Sequence, residues 1–208
     1  MRERKVVPEI LDGLPADDPA AQRSRRDLRM VDVLMGNSRW IAQALRARGE
    51  EMPVVELGAG EGCLAERLAE QGYEVTALDL VPRPGGLSKS VSWVQGDLFE
   101  TFPKTEGAVV ASLFLHHFEA DQLRDLGELL KGASVLCFAE PLRSSVALAE
   151  GYALFPFVNS VTRYDMIVSI RAGFRKGELP RLLGLDESWR VEEETTLLGG
   201  YRMRAERR

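Results

Sequence analysis

Residues 53–62 restrict the possible folds more than any other part of the chain. Pro53-Val54-Val55-Glu56-Leu57 is short and mostly apolar, as a strand buried on both faces is, and Gly58-Ala59-Gly60-Glu61-Gly62 follows at once. Glycine has no Cβ, so this G-x-G-x-G run lets the backbone turn sharply and lets a ligand lie against it. Glu61 to Gln71 then predicts a helix with Leu64, Ala65, Leu68 and Ala69 on one face. Its unpaired first-turn amides point into the cleft beside the turn. A second strand, Val75-Thr76-Ala77-Leu78, ends in Asp79, nineteen residues after Gly60. Strand, glycine turn, helix and acid-tipped strand open an α/β fold built on a parallel sheet.

Such a layout holds an adenosine-containing cofactor at the sheet edge. A dinucleotide fold prefers glycine or alanine at the sixth fingerprint position, where this chain has Cys63. The segment instead resembles the first motif of class I S-adenosylmethionine-dependent methyltransferases, acid-x-G-x-G-x-G. Two later stretches carry the same resemblance. Val91-Ser92-Trp93-Val94-Gln95 reads as a third strand ending in Gly96-Asp97-Leu98. Gly107 to Ser112 reads as a fourth strand running through Leu113 and Phe114 into Leu115-His116-His117-Phe118. That stretch is similar to the Leu-His-His segment of the small-molecule, quinone- and polyketide-type branch. The likeness is close over residues 20–140 and looser outside.

The resemblance implies a Rossmann-like α/β fold: a seven-stranded, mostly parallel sheet with helices on both faces and an antiparallel last strand. It also implies an amino-terminal helical lid over residues 1–49. A methyltransferase domain would fill residues 50–208, with a substrate cap inserted around 143–185. S-adenosylmethionine is the implied cofactor, touched by Glu56, Leu57, Gly58, Ala59, Gly60, Asp79, Leu80, Asp97, Leu98 and Ser112. Glu56 and the backbone of 58–60 would lie beside the methionine part. Asp79 would receive both ribose hydroxyls, since a carboxylate accepts two hydrogen bonds at once. Asp97 would meet the adenine amino group and Leu98 its ring; the plain alternative for Asp97 is a cap on its own turn.

Methyl transfer from a sulfonium asks little of a protein beyond alignment and exclusion of water, and alignment supplies about 7–11 kcal/mol of the barrier. A phenolic acceptor must also lose a proton, and a base tuned near neutrality accelerates that by roughly 10²–10⁴-fold. The chain has two histidines, His116 and His117, both at the carboxyl end of the fourth strand, where ligands bind in open α/β sheets. His117 is the first base candidate and His116 the second; the alternative is a ring that donates to a carbonyl and shapes the loop. Glu140, after a fifth strand over Val135–Ala139, is a weaker candidate. No metal site is expected, because adjacent histidines without nearby paired acids do not make a coordination shell. The expected acceptor is a small phenolic, quinone-like or other aromatic metabolite, methylated on oxygen or carbon. Two other readings remain open: a cofactor-binding but catalytically silent partner protein, and a nicotinamide-dependent reductase. Cys63 and the lack of a Tyr-x-x-x-Lys pair near the fifth strand count against the reductase.

The fourth strand lacks the (Asp/Asn)-Pro-Pro-(Tyr/Phe) run that grips base amines in nucleic-acid methyltransferases. Net charge −5 and a pI near 5.3 oppose the basic footprint of a nucleic-acid binder. A length of 208 residues and a 45% apolar fraction suit one domain with a small cap. No apolar run is long enough to span a bilayer, and the start, Met1-Arg2-Glu3-Arg4-Lys5, leads into a polar stretch without a signal-peptide core. Cys63 and Cys137, both in apolar surroundings, read as buried free thiols of a cytoplasmic protein. Oligomeric state is left open.

Residues 1–18 predict a loosely ordered leader. Ala20–Met35 and a helix capped by Asn37 or Ser38 follow. If that pair closes over the cleft, Arg29 or Asn37 reaches the cofactor's carboxylate or an anionic substrate. Asp121–Lys131 predicts a helix ended by a left-handed Gly132. Aromatics in 143–175, interleaved with Arg143, Arg163 and Arg171, either wall an acceptor pocket or pack the cap. Lys176–Leu183 reads as helix, and Trp189–Thr195 with Tyr201–Glu206 as a closing hairpin.

Overall fold

The computed structural model describes residues 3–15 and 17–208; Met1, Arg2 and Ala16, part of the expected leader, lie outside them. Seven strands form one sheet: β1 (Val54–Leu57), β2 (Val75–Asp79), β3 (Val91–Gln95), β4 (Ala108–Ser112), β5 (Val135–Pro141), β6 (Trp189–Thr195) and β7 (Gly200–Arg207). Their order is β3-β2-β1-β4-β5-β7-β6. β1 to β5 run parallel, while β7 runs antiparallel to both β5 and β6. This is the Rossmann-like sheet the sequence predicts.

Residue alternation along the central strands divides the core in two. Val109 and Ala111 of β4, with Leu136 and Phe138 of β5, face one side. There they meet Leu123 and Leu126 of α5 (Ala120–Leu129) and Leu179 of α8 (Glu178–Leu182). Ala108, Val110, Val135 and Cys137 face the other, against Ile41 and Leu45 of α2 (Asn37–Arg46) and Leu64 and Leu68 of α3 (Cys63–Glu70). Strands apolar on both faces suit a parallel sheet sandwiched between helices.

The chain leaves β1 for β2 in one direction and β4 for β5 in the other. The carboxyl ends of β1 and β4 therefore flank the point where an open sheet forms its crevice. α1 (Pro19–Met35) crosses α7 (Ser160–Ala172), which follows α6 (Ser145–Leu154). α2 begins directly after Gly36, whose left-handed φ of 67° makes it the boundary residue. Asn37 and Ser38 are thus the first helical residues and make no side-chain cap; Ser38 Oγ instead donates to Asp32 of α1 at 2.7 Å.

Other expectations shift in detail. Gly132 has no positive φ, because α5 tightens into a 3₁₀ turn over Leu130–Gly132 instead of ending on a left-handed cap. Cys63, first in α3, is exposed; only Cys137 is buried. The described part of the leader is not loose. Arg4 donates to the carbonyls of His116 (3.0 Å), Phe118 (2.9 Å) and Ala172 (2.7 Å). Asp165 of α7 accepts from the amides of Ile10 (2.7 Å) and Leu11 (3.1 Å). Residues 3–13 thus form a strap fastened to α7 and to the loop after β4.

Candidate cofactor and acceptor site

The glycine turn after β1 opens the crevice. Gly58 is left-handed at φ 65°, and a Cβ there would lie 2.1 Å from the Phe114 ring. At Gly60, φ 54°, a Cβ would meet nothing within 4 Å, so the backbone faces open space. Asp79, at the tip of β2, is oriented by this turn: Oδ2 accepts from the Gly60 amide at 2.7 Å and Oδ1 from the Val81 amide at 3.1 Å. A carboxylate so held keeps further lone pairs for hydroxyl donors. Leu80, next along, is 70% exposed and offers an apolar surface at the crevice edge. Asp97 caps α4 (Leu98–Thr101), Oδ1 accepting from the Phe99 amide at 2.8 Å, which is the turn-capping alternative realised. Leu57, Ala59 and Leu98 are buried, and Ser112 half-buried at the tip of β4.

Glu56 is the unusual group here. It is buried, and its Oε2 has no hydrogen-bond partner among the described residues. Burial pushes its carboxyl up to about 8; the Ala65 amide offsets part of this, while Asp79 and Asp32 add to it. Asn37 Oδ1 is likewise buried, with no hydrogen-bond partner among the described residues. Glu56 lies in the strand that runs into the open glycine turn, and a cationic ammonium on a bound ligand is the group that would satisfy its unpaired oxygen. The amino end of S-adenosylmethionine fits that requirement. Arg29 is engaged elsewhere, in an exposed ion pair with Glu61 of the glycine turn.

The acceptor side is built on the turn after β4. Leu113, φ 54°, is the one non-glycine residue with positive φ among the described residues. That conformation costs about 1–2 kcal/mol and persists only where surroundings impose it. Glu140 of β5 imposes it. Fully buried, it accepts from the amides of Phe114 (3.1 Å), Leu115 (2.8 Å) and His116 (3.3 Å), and lies 2.8 Å from His116 Nδ1. With four bonds to one turn, Glu140 is an anchor.

The two histidines differ sharply. His116 is buried, and its Nε2 faces Glu9 Oε1 of the strap at 3.4 Å. Burial alone would depress its pKa, but the Glu140 and Glu9 hydrogen bonds outweigh it and push the ring up to about 9. His117 is more open and stacks on His116, ring centres 4.3 Å apart and tilted by 33°. Burial and then the His116 charge hold it below its ordinary value, against the pull of Glu9, Asp12 and Glu140. Its Nδ1 lies 3.7 Å from Asp12 of the strap.

Residues 55–137 match the model of the methyltransferase domain family. That stretch carries the signature of a methyltransferase domain. No curated protein sequence matches it significantly. Among solved structures it resembles the plantazolicin methyltransferase BpumL in complex with S-adenosylhomocysteine, at TM-score 0.69 and 12% identity over 92% of each chain. It also resembles the related BamL enzyme, at TM-score 0.74 and 12% identity over 95% of this chain and 92% of that one. Magnesium protoporphyrin IX methyltransferase from Synechocystis, with bound S-adenosylhomocysteine, matches at TM-score 0.60 and 16% identity over 95% and 91%. At such identities the likeness concerns the fold.

In this chain the residues expected around the cofactor gather at the carboxyl ends of β1 to β4, and Arg143 leaves the expected acceptor wall. It is buried, donating to the Gly173 carbonyl at 2.6 Å and pairing with Glu178 at 2.5 Å. Tyr152, Phe155, Tyr164, Arg163 and Arg171 line a groove of about 360 Å³ between α6 and α7. The histidine turn sits against another face of α7, the one carrying Asp165 and Ser169. The sequence reading missed Glu9 and Asp12, whose segment has no periodicity to announce it. Its case against a metal assumed no acid near the histidines. Glu9 removes that premise: its carboxylate and the two rings offer three donor atoms within 4.8 Å of one another. Here Glu9 faces the charged His116 ring, and His117 stacks on that ring. Among the described residues, no helix is long and apolar enough to cross a membrane.

Proposed function

We propose that the chain transfers a methyl group from S-adenosylmethionine to a small-molecule acceptor, a phenolic, quinone-like or other aromatic metabolite, on oxygen or carbon. The observation that carries the reading is the unpartnered, buried Glu56 carboxyl in the strand leading into the open turn at Gly60, beside the oriented Asp79. When bound, the cofactor supplies a methyl group on a sulfonium. Glu56 holds the ammonium, Asp79 the ribose hydroxyls, Leu80 and Leu98 the adenine faces, and Asp97 its amino group. Ser112 and the backbone of 57–60 complete the cradle, and residues 1–49 act as the lid.

His117 is the base. Kept neutral by its surroundings, it has a ring nitrogen ready to take the acceptor's proton. His116 serves differently, since a ring bonded at both nitrogens and charged near neutrality has no lone pair to offer. The plantazolicin and magnesium protoporphyrin IX methyltransferases are named for different acceptors, so the acceptor class rests on this chain's own acidity and its histidine turn.

Calorimetric titration with S-adenosylhomocysteine tests the cofactor half. Asp79→Ala should weaken binding by about 1.5–3 kcal/mol, the scale of a charged hydrogen bond, and unchanged affinity would reject the ribose assignment. Turnover on a panel of catechol, hydroquinone and 4-hydroxybenzoate tests the acceptor half. His117→Ala should cut turnover at least a hundredfold while leaving cofactor affinity alone; full activity would reject the base.

A further inference from the structure

The strap carries a carboxylate into the acceptor side that no motif announces. Glu9 is 107 residues from His116 in sequence, yet its side chain is only 10% exposed and faces the ring nitrogen that Glu140 leaves over. Ser169 of α7 donates to the same Glu9 oxygen. Arg4 clamps the strap to the carbonyls on either side of His117. A nearly buried carboxylate is costly unless paired, and so is a buried imidazolium. Docking of the strap and charging of His116 therefore support each other.

We propose that Glu9 is a positioning residue for methyl transfer: delivered by the strap, it completes a Glu140–His116–Glu9 stack that fixes the His117 ring beside the acceptor. The proposal rests on the reading of His117 as base. His117 is held chiefly by stacking on His116, since its nearest carboxylate, Asp12, is 3.7 Å from Nδ1 and outside hydrogen-bond range. Whatever loosens the His116 ring loosens His117 with it. The charged groups facing His117 are His116, Glu9, Asp12 and Glu140, with Arg4 donating to the adjoining carbonyl of His116. Removing the Glu9 charge leaves the His116 charge less opposed. His117 then becomes harder to protonate and a weaker base.

Glu9→Gln tests this, because it keeps the length of the side chain and an oxygen for Ser169. The chain has only two histidines, so ring nitrogen resonances of the full chain can be assigned with His117→Ala and followed against pH. In Glu9→Gln the His117 titration should move to lower pH. kcat on the most active member of the phenol panel should fall between about tenfold and a hundredfold, the scale of a misplaced catalytic group. KM and S-adenosylhomocysteine affinity should stay within about twofold if only positioning is lost, and Glu9→Asp should recover part of kcat. An unchanged His117 titration and kcat in Glu9→Gln, with His117→Ala inactive, overturns the role of Glu9 alone. A fully active His117→Ala overturns the base instead. Activity lost on dialysis against a chelator and regained with Mn²⁺ would also overturn the proposal, because the stack would then be a set of metal ligands.

Discussion

Glu56 shows how one side chain ties folding to cofactor capture. In the ligand-free protein it is a buried acid whose pKa is raised to about 8, so it stays protonated at pH 6.5. Its contribution to stability has a definite sign. The unfolded chain ionises near the ordinary carboxylate value while the folded one resists, so this residue increasingly opposes folding as pH climbs toward about 8. A cationic ammonium favours the carboxylate, so binding should expel about one proton. Calorimetry of S-adenosylhomocysteine binding at pH 6.5, in buffers of different ionisation enthalpy, should detect that proton in the native chain and not in Glu56→Gln. Equal release by both would place the ammonium elsewhere. The acid at position 56 was legible from its place before the glycines. Its lack of a partner was not, since solvation is a property of the folded surroundings.

At the scale of elements, the junction of α1 with α7 decides how the helices outside the sheet are held. Asn159 caps α7 by accepting from the Thr162 amide at 2.9 Å, and its Nδ2 donates to the Ala20 carbonyl in the first turn of α1 at 3.0 Å. Asp27 of α1 in turn accepts from the Asn159 amide and the Thr162 hydroxyl. Losing such a cap costs about 0.5–2 kcal/mol, and for a domain of this size roughly 2–4 °C accompanies each kcal/mol. Asn159→Ala should therefore lower Tm by about 1–8 °C in a thermal scan. An unchanged Tm would mean that α7 is held without its cap. The strands were legible to within a residue or two because β4 and β5 are near-continuous apolar runs and the closing strands are bounded by the Leu198-Gly199-Gly200 turn. Helix ends were less so: Gly36 takes the boundary expected of Asn37 or Ser38, and α5 tightens before Gly132. Competing backbone geometries at those ends differ little in energy, and tertiary contacts choose between them.

Across the whole molecule, His116 joins three distant parts of the chain: the strap through Glu9, the turn after β4, and β5 through Glu140. Its pKa is raised to about 9, so the stability it confers is fully present below about 6.5 and lost as pH rises through about 9. Thermal scans should show Tm falling between pH 7 and 9.5, with a flatter profile in His116→Asn. An equally steep fall in that variant would place the titrating group elsewhere.

Local chemistry was enough to determine the sheet, its glycine turn and the acid tipping β2, because burial on both faces and absent Cβ atoms leave few alternative conformations. Only the tertiary structure could decide which histidine carries the charge and that a strap from the amino-terminal segment supplies its second carboxylate. Those outcomes depend on groups more than a hundred residues apart sharing one dehydrated space, where pairing sets protonation. Sequence spacing carries no record of that proximity.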